Sequence, residues 1–535
     1  MSPHPPEAAL LHELIFRARS LTPQAPALTY GAETWTYERL AQDTAAFAAG
    51  LRALGLERGE RVGIWLEKRF EAVVASFGTA AAGLVMVPMN PLLKPEQVGH
   101  IARDCNARVI VTSPERAALL AAVLPQCPDL RHLVLTDGQA APAGGAVAVQ
   151  RWSELLAALP ADGHRVIDTD ICAILYTSGS TGLPKGVVLS HRNMVAGAKS
   201  VASYLENRAG DTLLAALPLS FDAGFSQLTT AFHAGARVVL LNYLMPRDVL
   251  KAMARERVTG LTAVPPLYIQ LTQLEWPAEV GEHLRYFANT GGRMPRETLD
   301  ALRQRVPRAL PFLMYGLTEA FRSTYLPPAE VDRRPDSIGR AIPNAEILVL
   351  REDGSECAPD EPGELVHRGA LVGQGYWNDA EKTAERYRLL GAGRGGRMAG
   401  LQLPEYAVFS GDTVRRDAEG FLYFIGRRDE MMKTSGYRVS PTEVEEIVYS
   451  TRRVGECVAF GVDHPSLGQA IQIIATAPDG SAALDVPALL ADCKQRMPAY
   501  MVPAGIHPMA GPLPRNPNGK IDRKLLATQW LETPR

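Results

Sequence analysis

The residues best suited to chemistry lie in one short run. Tyr176-Thr177-Ser178-Gly179-Ser180-Thr181-Gly182-Leu183-Pro184-Lys185-Gly186 packs five hydroxyls, three glycines and one lysine into eleven positions. Glycine lets a backbone turn tightly and present its N–H groups. Hydroxyls and a lysine add donors around an anion, so the run is built to hold polyphosphate. It is not a Walker A loop: Pro184 precedes Lys185 and Gly186 follows it, where a Walker loop carries its magnesium-binding hydroxyl. Downstream come Asn289-Thr290-Gly291-Gly292 and Tyr315-Gly316-Leu317-Thr318-Glu319, which offer an aromatic for a purine, a hydroxyl for a phosphate and a carboxylate for Mg²⁺. Ser410-Gly411-Asp412 adds a carboxylate able to accept two O–H donors. Phe424-Ile425-Gly426-Arg427 adds a guanidinium, and Pro514-Arg515-Asn516-Pro517-Asn518-Gly519-Lys520 sets a lysine in a turn-rich tail. Alone, each motif reads equally as a turn or a solvated charge. Their order along one chain points to a nucleotide.

In that order the motifs resemble the adenylate-forming superfamily, which contains acyl-CoA synthetases, peptide-synthetase adenylation domains and luciferases. The resemblance runs over nearly the whole chain. It implies an acid–thiol ligase that uses ATP and Mg²⁺ to make an acyl-adenylate and passes the acyl group to a phosphopantetheine thiol, of CoA or of a carrier protein. It implies that Thr177, Ser178, Gly179, Ser180, Thr181, Gly182 and Lys185 hold the phosphates and that Glu319 and Thr181 serve the metal. Gly291, Gly292, Tyr315 and Gly316 would receive adenine, and Asp412 the ribose; Ser410 replaces the usual threonine of that motif. Arg427 is the expected second ribose or phosphate contact. Thr318 touches the α-phosphate, and Lys520, with Thr318 and Glu319, is the catalytic set. Asp429 falls at the family's hinge. Lys433–Arg438 resembles the segment that builds the thiol tunnel, where Gly436 leaves room for a narrow arm. The stretches Leu217–Leu241 and Thr262–Pro277 look like the exosortase A-associated AMP-forming acyl-CoA ligases.

Ser220-Phe221-Asp222-Ala223 bears on the acid. Amino-acid adenylation domains carry Phe-Asp here and pair the aspartate with the substrate ammonium, so Asp222 reads either as that partner or as a helix N-cap. Arg322 reads either as the partner of a second carboxylate, as in glutamate, or as a surface or interdomain arginine. The expected substrate is therefore an amino acid or another amine-bearing acid. A medium- or long-chain fatty acid is the alternative. A non-catalytic nucleotide-binding regulator is disfavoured by the presence of Lys520, Glu319 and Asp412, and a P-loop ATPase would release ADP instead of AMP.

These groups need a large scaffold. The chain has 535 residues, 46% hydrophobic and 21% charged, which suits a globular enzyme of two or more domains. A net charge of −2 speaks against nucleic acid. Six scattered cysteines without a Cys-x-x-Cys pair speak against zinc and a disulfide framework. No apolar run approaches the roughly 18 residues of a membrane span, and the first residues do not form a signal peptide, so a cytoplasmic setting is expected. Strand patterns at Arg61–Leu66, Arg108–Thr112 and Ile171–Leu175 alternate with helical ones such as Glu71–Leu84. The fold class is α/β: a large N-terminal domain (1–428) of parallel-type sheets covered by helices, with a small β-subdomain over Ile338–Tyr376. A mobile, small α+β C-terminal domain (429–535) follows. An amphipathic helix is expected over 8–20 and a helix over Val486–Arg496. Ser440-Pro441-Thr442-Glu443 reads as a capping box opening a helix to Tyr449, and Gly138–Val147 and Gly391–Gly400 read as surface loops.

Overall fold

The computed structural model describes residues 7–136, 147–158, 163–178, 184–391, 404–427, 430–434, 437–464, 467–516 and 519–532. The expected loops at 138–147 and 391–400 fall almost wholly outside them. Among the described residues the strands form four sheets. One has seven strands in the order Ala148–Arg151, His132–Leu135, Ala107–Thr112, Arg61–Trp65, Val85–Pro88, Ile171–Ser178 and Pro184–Ser190. Every neighbouring pair is parallel except the last, an antiparallel pair of strands that flanks the hydroxyl- and glycine-rich run in sequence. A nine-stranded sheet is parallel through its centre, where Leu310–Tyr315, Tyr286–Asn289, Gly260–Ala263 and Thr212–Ala215 lie side by side. A five-stranded antiparallel sheet holds Ala345–Leu350, Gly363–Gly369, Tyr387–Leu389, Tyr406–Arg416 and Leu422–Arg427. The last sheet, with the helices Pro441–Ser450, Val486–Arg496 and Arg523–Glu532, makes the small C-terminal unit and has its own apolar core. The chain is thus a mixed α/β protein with a large N-terminal body and a C-terminal domain.

The alternating strand and helix patterns arise because strands buried on both faces read as apolar runs. Arg61–Trp65, Val85–Pro88 and Ile171–Ser178 are of this kind. The helices Phe70–Ala81 and Asp222–Ala234 are buried almost all round, so neither shows a clean polar face. They meet through Phe77, which stacks on Phe225 at 5.6 Å and meets Phe232 edge-on at 5.3 Å between centroids. Burying one such phenylalanine is worth about 1.5–3 kcal/mol. The opening helix begins later than its pattern suggests, at Glu13, because residues 10–12 form a turn. No helix among the described residues is long and apolar enough to cross a membrane.

Two expectations of local structure are corrected. Ser440 is the N-cap of its helix and Pro441 follows it, but its side chain makes no capping bond. The hydroxyl packs against Gly426, where a Cβ would come within 2.9 Å of it. Asp222 is not an N-cap either: Phe221 holds that position, and Asp222 is the first helical residue.

The connection from Ala216 to Phe221 sets where Asp222 lies. Lys68 is buried and donates from Nζ to the Ala216 carbonyl at 3.0 Å, and burial pushes its pKa down to about 8. Gln227 Oε1 accepts from Ala216 N at 3.1 Å. The connection then crosses the first helical turn so closely that a Cβ on Gly224 would lie 1.6 Å from the Pro218 carbonyl oxygen. Gly224→Ala should therefore destabilise the large body by about 1–3 kcal/mol, read as a lower midpoint of its denaturant unfolding transition. An unchanged midpoint would mean the crossing is looser than described.

Candidate active site

Three of the chemistry-bearing loops leave the carboxyl ends of neighbouring parallel strands, where open α/β sheets characteristically bind ligands. Asn289-Thr290-Gly291-Gly292 follows Tyr286–Asn289, Tyr315 to Glu319 follows Leu310–Tyr315, and Asp222 follows Thr212–Ala215. Asn289 ties the first two together: its Nδ2 donates to the Gly292 carbonyl at 2.8 Å and its Oδ1 accepts from Met314 N at 3.2 Å. Gly291 has φ +75°, so a side chain there would be strained.

The Tyr315–Glu319 loop turns back on itself. Gly316 permits this, since a Cβ there would come 3.0 Å from the Arg322 Cα, and Ser323 N reaches the Tyr315 carbonyl at 3.1 Å. Phe321 has φ +59° and ψ −51°, and Arg322 N donates to the Ala320 carbonyl at 2.6 Å across it. That is a γ-turn of the rare, strained hand, in a residue with a bulky side chain. The ring is held by its burial against Gly197, where a Cβ would meet Phe321 Cδ1 at 2.3 Å. The turn points Arg322 inward, where it is 2% exposed.

Asp222 and Arg322, one hundred residues apart, meet there. Arg322 Nη1 donates to Asp222 Oδ2 at 2.5 Å and to the Phe321 carbonyl at 2.8 Å, and Thr318 Oγ1 donates to Asp222 Oδ1 at 3.1 Å. The two residues expected to meet opposite charges of a substrate are paired with each other. Arg322 also lines a cavity of about 20 Å³ with Ser226, Gln227, Thr230, Tyr286 and Met314. That is room for one water, which needs roughly 10–15 Å³.

Tyr315 donates its hydroxyl proton to Asp412, which stands opposite Arg427 in the strand pairing. Burial raises the Asp412 pKa, and the Arg427 charge opposes the shift. Asp412 Oδ1 is buried and accepts no hydrogen bond among the described residues, with Arg427 Nε at 3.5 Å. An acceptor left over in this way fits a ribose hydroxyl. Glu319 receives the Tyr376 hydroxyl on Oε1 at 2.5 Å, so its other oxygen remains for a cation. No group of three or more His, Cys, Asp or Glu suited to a metal occurs among the described residues. A lone carboxylate fits Mg²⁺, which typically takes one or two carboxylates plus substrate phosphates.

On the phosphate-loop hairpin, Thr177 pairs with Lys185 and Ser178 with Pro184. Gly179, Ser180, Thr181 and Gly182 lie outside the described residues, as do Asp429 and Gly436. Lys185 Nζ sits 3.9 Å from Asp379 Oδ2 and 5.9 Å from the centre of the Tyr376 ring. Neither Tyr376 nor Asp379 stood out in the sequence; the only signal was the two glycines, Gly373 and Gly375, close before Tyr376.

Lys520 comes from the C-terminal domain to the same cleft. Its Cε lies beside Gly291, 3.4 Å from where a Cβ would stand there. Its loop is closed by Asn516 N on the Lys520 carbonyl at 2.8 Å and by Lys520 N on Asn516 Oδ1 at 3.1 Å. The residue as a whole is exposed. Protein crowding around the ammonium, then the Arg427 charge, hold its pKa below the usual lysine value, against the pull of Asp222 and Asp412. Predicted groups from both domains therefore converge on one cleft.

The buried Asp222–Arg322 pair gives a stability test. Arg322→Ala leaves a buried carboxylate without its counter-ion and should cost about 3–5 kcal/mol. The double change Asp222→Asn with Arg322→Met removes both charges and should recover most of that loss in denaturant unfolding. Equal instability of single and double variants would argue against a buried pair.

Comparison with known proteins agrees with this geometry. Residues 15–377 match the family model described as AMP-binding enzyme, and residues 443–520 match that of the AMP-binding enzyme C-terminal domain. A long-chain-fatty-acid–CoA ligase of Salmonella typhimurium is 30% identical over 550 residues, covering 96% of this chain and 94% of that protein. The crystal structure of ATP-bound MatB from Rhodopseudomonas palustris superposes with a TM-score of 0.84 at 25% identity, covering 98% of this chain and 99% of that one. The anthranilate CoA ligase AuaEII in complex with anthranoyl-AMP shares the fold, with a TM-score of 0.85 at 24% identity and 98% coverage of both chains. The chain belongs to the AMP-binding enzyme family and is an adenylate-forming acid–thiol ligase.

Proposed function

We propose that this enzyme joins a compact, amine-bearing carboxylic acid to AMP and then passes the acyl group to a phosphopantetheine thiol. The observation that carries the substrate reading is the buried Asp222–Arg322 pair beside Thr318. An acid with an ammonium for Asp222 and a second carboxylate for Arg322 replaces one internal ion pair with two to the substrate. A neutral amino acid leaves Arg322 buried and unpaired, which costs about 3–5 kcal/mol. A plain fatty acid is the second reading, favoured by the name of the Salmonella relative.

In the first step a substrate carboxylate oxygen bonds to the α-phosphorus and the bond to pyrophosphate breaks. Negative charge gathers on the attacking and leaving oxygens. Lys520 meets that charge from one side of the cleft, and Thr318 donates beside it. Asp412 and Arg427 hold the ribose end, while Lys185 steadies the phosphates. Mg²⁺, when held by Glu319, contributes charge neutralisation at those phosphates. In the second step a thiol attacks the acyl carbonyl and AMP departs. Lys520 and the thiol approach the same acyl group, so the C-terminal domain has to turn away between steps, about a hinge at Asp429.

Pyrophosphate exchange across aspartate, glutamate, neutral amino acids and fatty acids tests this reading, with thioester capture on CoA and on a carrier protein to identify the acceptor. Exchange is expected with acidic amino acids; activity confined to plain fatty acids removes the role given to Asp222 and Arg322. Lys520→Ala should lower exchange by about 10²–10³ while thiol transfer from supplied adenylate persists. Equal loss of both half-reactions would contradict the division of labour.

A further inference from the structure

We infer that Tyr376 is a positioning residue that orients the metal-binding carboxylate and carries the phosphate-loop lysine over its ring. The inference rests on the reading of Glu319 as the Mg²⁺ ligand. Tyr376 gives its one hydroxyl proton to Glu319 Oε1 at 2.5 Å. The same ring has Lys185 Nζ 5.9 Å from its centre. An aromatic face attracts a cation, and a phenol donates to a carboxylate. One side chain thus engages a cation and an anion on different parts of its surface.

The backbone fixes the ring in that place. Gln374 N donates to the Val188 carbonyl at 2.8 Å, Val188 N to the Gly375 carbonyl at 2.9 Å, and Trp377 N to the Gly186 carbonyl at 2.7 Å. The segment therefore runs as an extra partner along the outer strand of the phosphate-loop hairpin, with Tyr376 opposite Val187. On its other side Gly373 N donates to the Glu319 carbonyl at 2.9 Å. The fit leaves no room at Gly373, where a Cβ would lie 3.0 Å from the Val188 oxygen and 3.1 Å from the Glu319 oxygen. Tyr387 meets the Tyr376 ring edge-on at 5.9 Å. Thr383 Oγ1 accepts from Tyr376 N at 2.9 Å. With one oxygen occupied by Tyr376, the Glu319 carboxylate has a set rotation, as an outer-shell partner commonly imposes on a ligand.

The test is calorimetric binding of ATP to the full-length protein, with Mg²⁺ and with excess chelator, for the wild type, Tyr376→Phe, Glu319→Gln and the double variant. Phenylalanine keeps the ring and removes only the hydroxyl. Tyr376→Phe should weaken ATP binding in Mg²⁺ by about 10-fold or more and change binding in chelator much less. In the Glu319→Gln background the same change should have little further effect, because Tyr376 acts through Glu319. Unchanged Mg²⁺-dependent binding in Tyr376→Phe, or equal weakening with and without Mg²⁺, would overturn the inference while leaving the ligase reading intact. If the wild type gains nothing from Mg²⁺, the role of Glu319 falls, and this inference with it.

Discussion

A cleft that handles ATP and a carboxylate has to keep opposite charges close together without letting them cancel. Here Asp222, Glu319 and Asp412 share a small space with Lys185, Arg322, Arg427 and Lys520. In a poorly solvated site such charges attract one another strongly, and side chains free to choose would close into internal pairs. Most of the surrounding architecture resists that collapse. Glu319 is held by Tyr376, Asp412 by Tyr315, and Lys185 sits between the Tyr376 ring and Asp379. Tyrosine suits this work because it donates to a carboxylate without adding a charge.

Asp222 and Arg322 close on each other most tightly, at 2.5 Å, whereas Arg427 stays 3.5 Å from Asp412 and Lys185 3.9 Å from Asp379. The arrangement is assembled with strain. Phe321 adopts a backbone conformation that bulky residues avoid, and Gly197, Gly316 and Gly224 each make room for the chain that crosses nearby. Strained turns persist where the surroundings over-determine them. Here the surroundings are a buried helix, a buried aromatic ring and a crossing loop, and the result is an arginine directed at a carboxylate beside Thr318.

The C-terminal domain contributes Lys520. Across the boundary Arg452 Nε meets Glu297 Oε1 at 2.7 Å, and Arg293 pairs with Glu446. The first pair is largely exposed, and exposed pairs contribute about 0–1 kcal/mol. The body to which the domain docks has helices buried almost all round between the two large sheets.

Much of this was legible in the residues. Buried parallel strands show as apolar runs, the helix Val486–Arg496 is found as expected, and the nucleotide motifs declare themselves because backbone conformation and donor type are local properties. The Ser440 capping box was misleading, since the hydroxyl packs against Gly426 instead. Pairing over long separations left no local trace. Nothing near Asp222 reveals that its partner lies one hundred residues away, and nothing around Tyr376 marks it as the link between Glu319 and Lys185. By itself the sequence determined which groups are available and which strands and loops carry them. Which charges meet, and which are kept apart, was decided only when the sheets packed and the loops crossed, because electrostatic attraction and steric fit depend on distance through space.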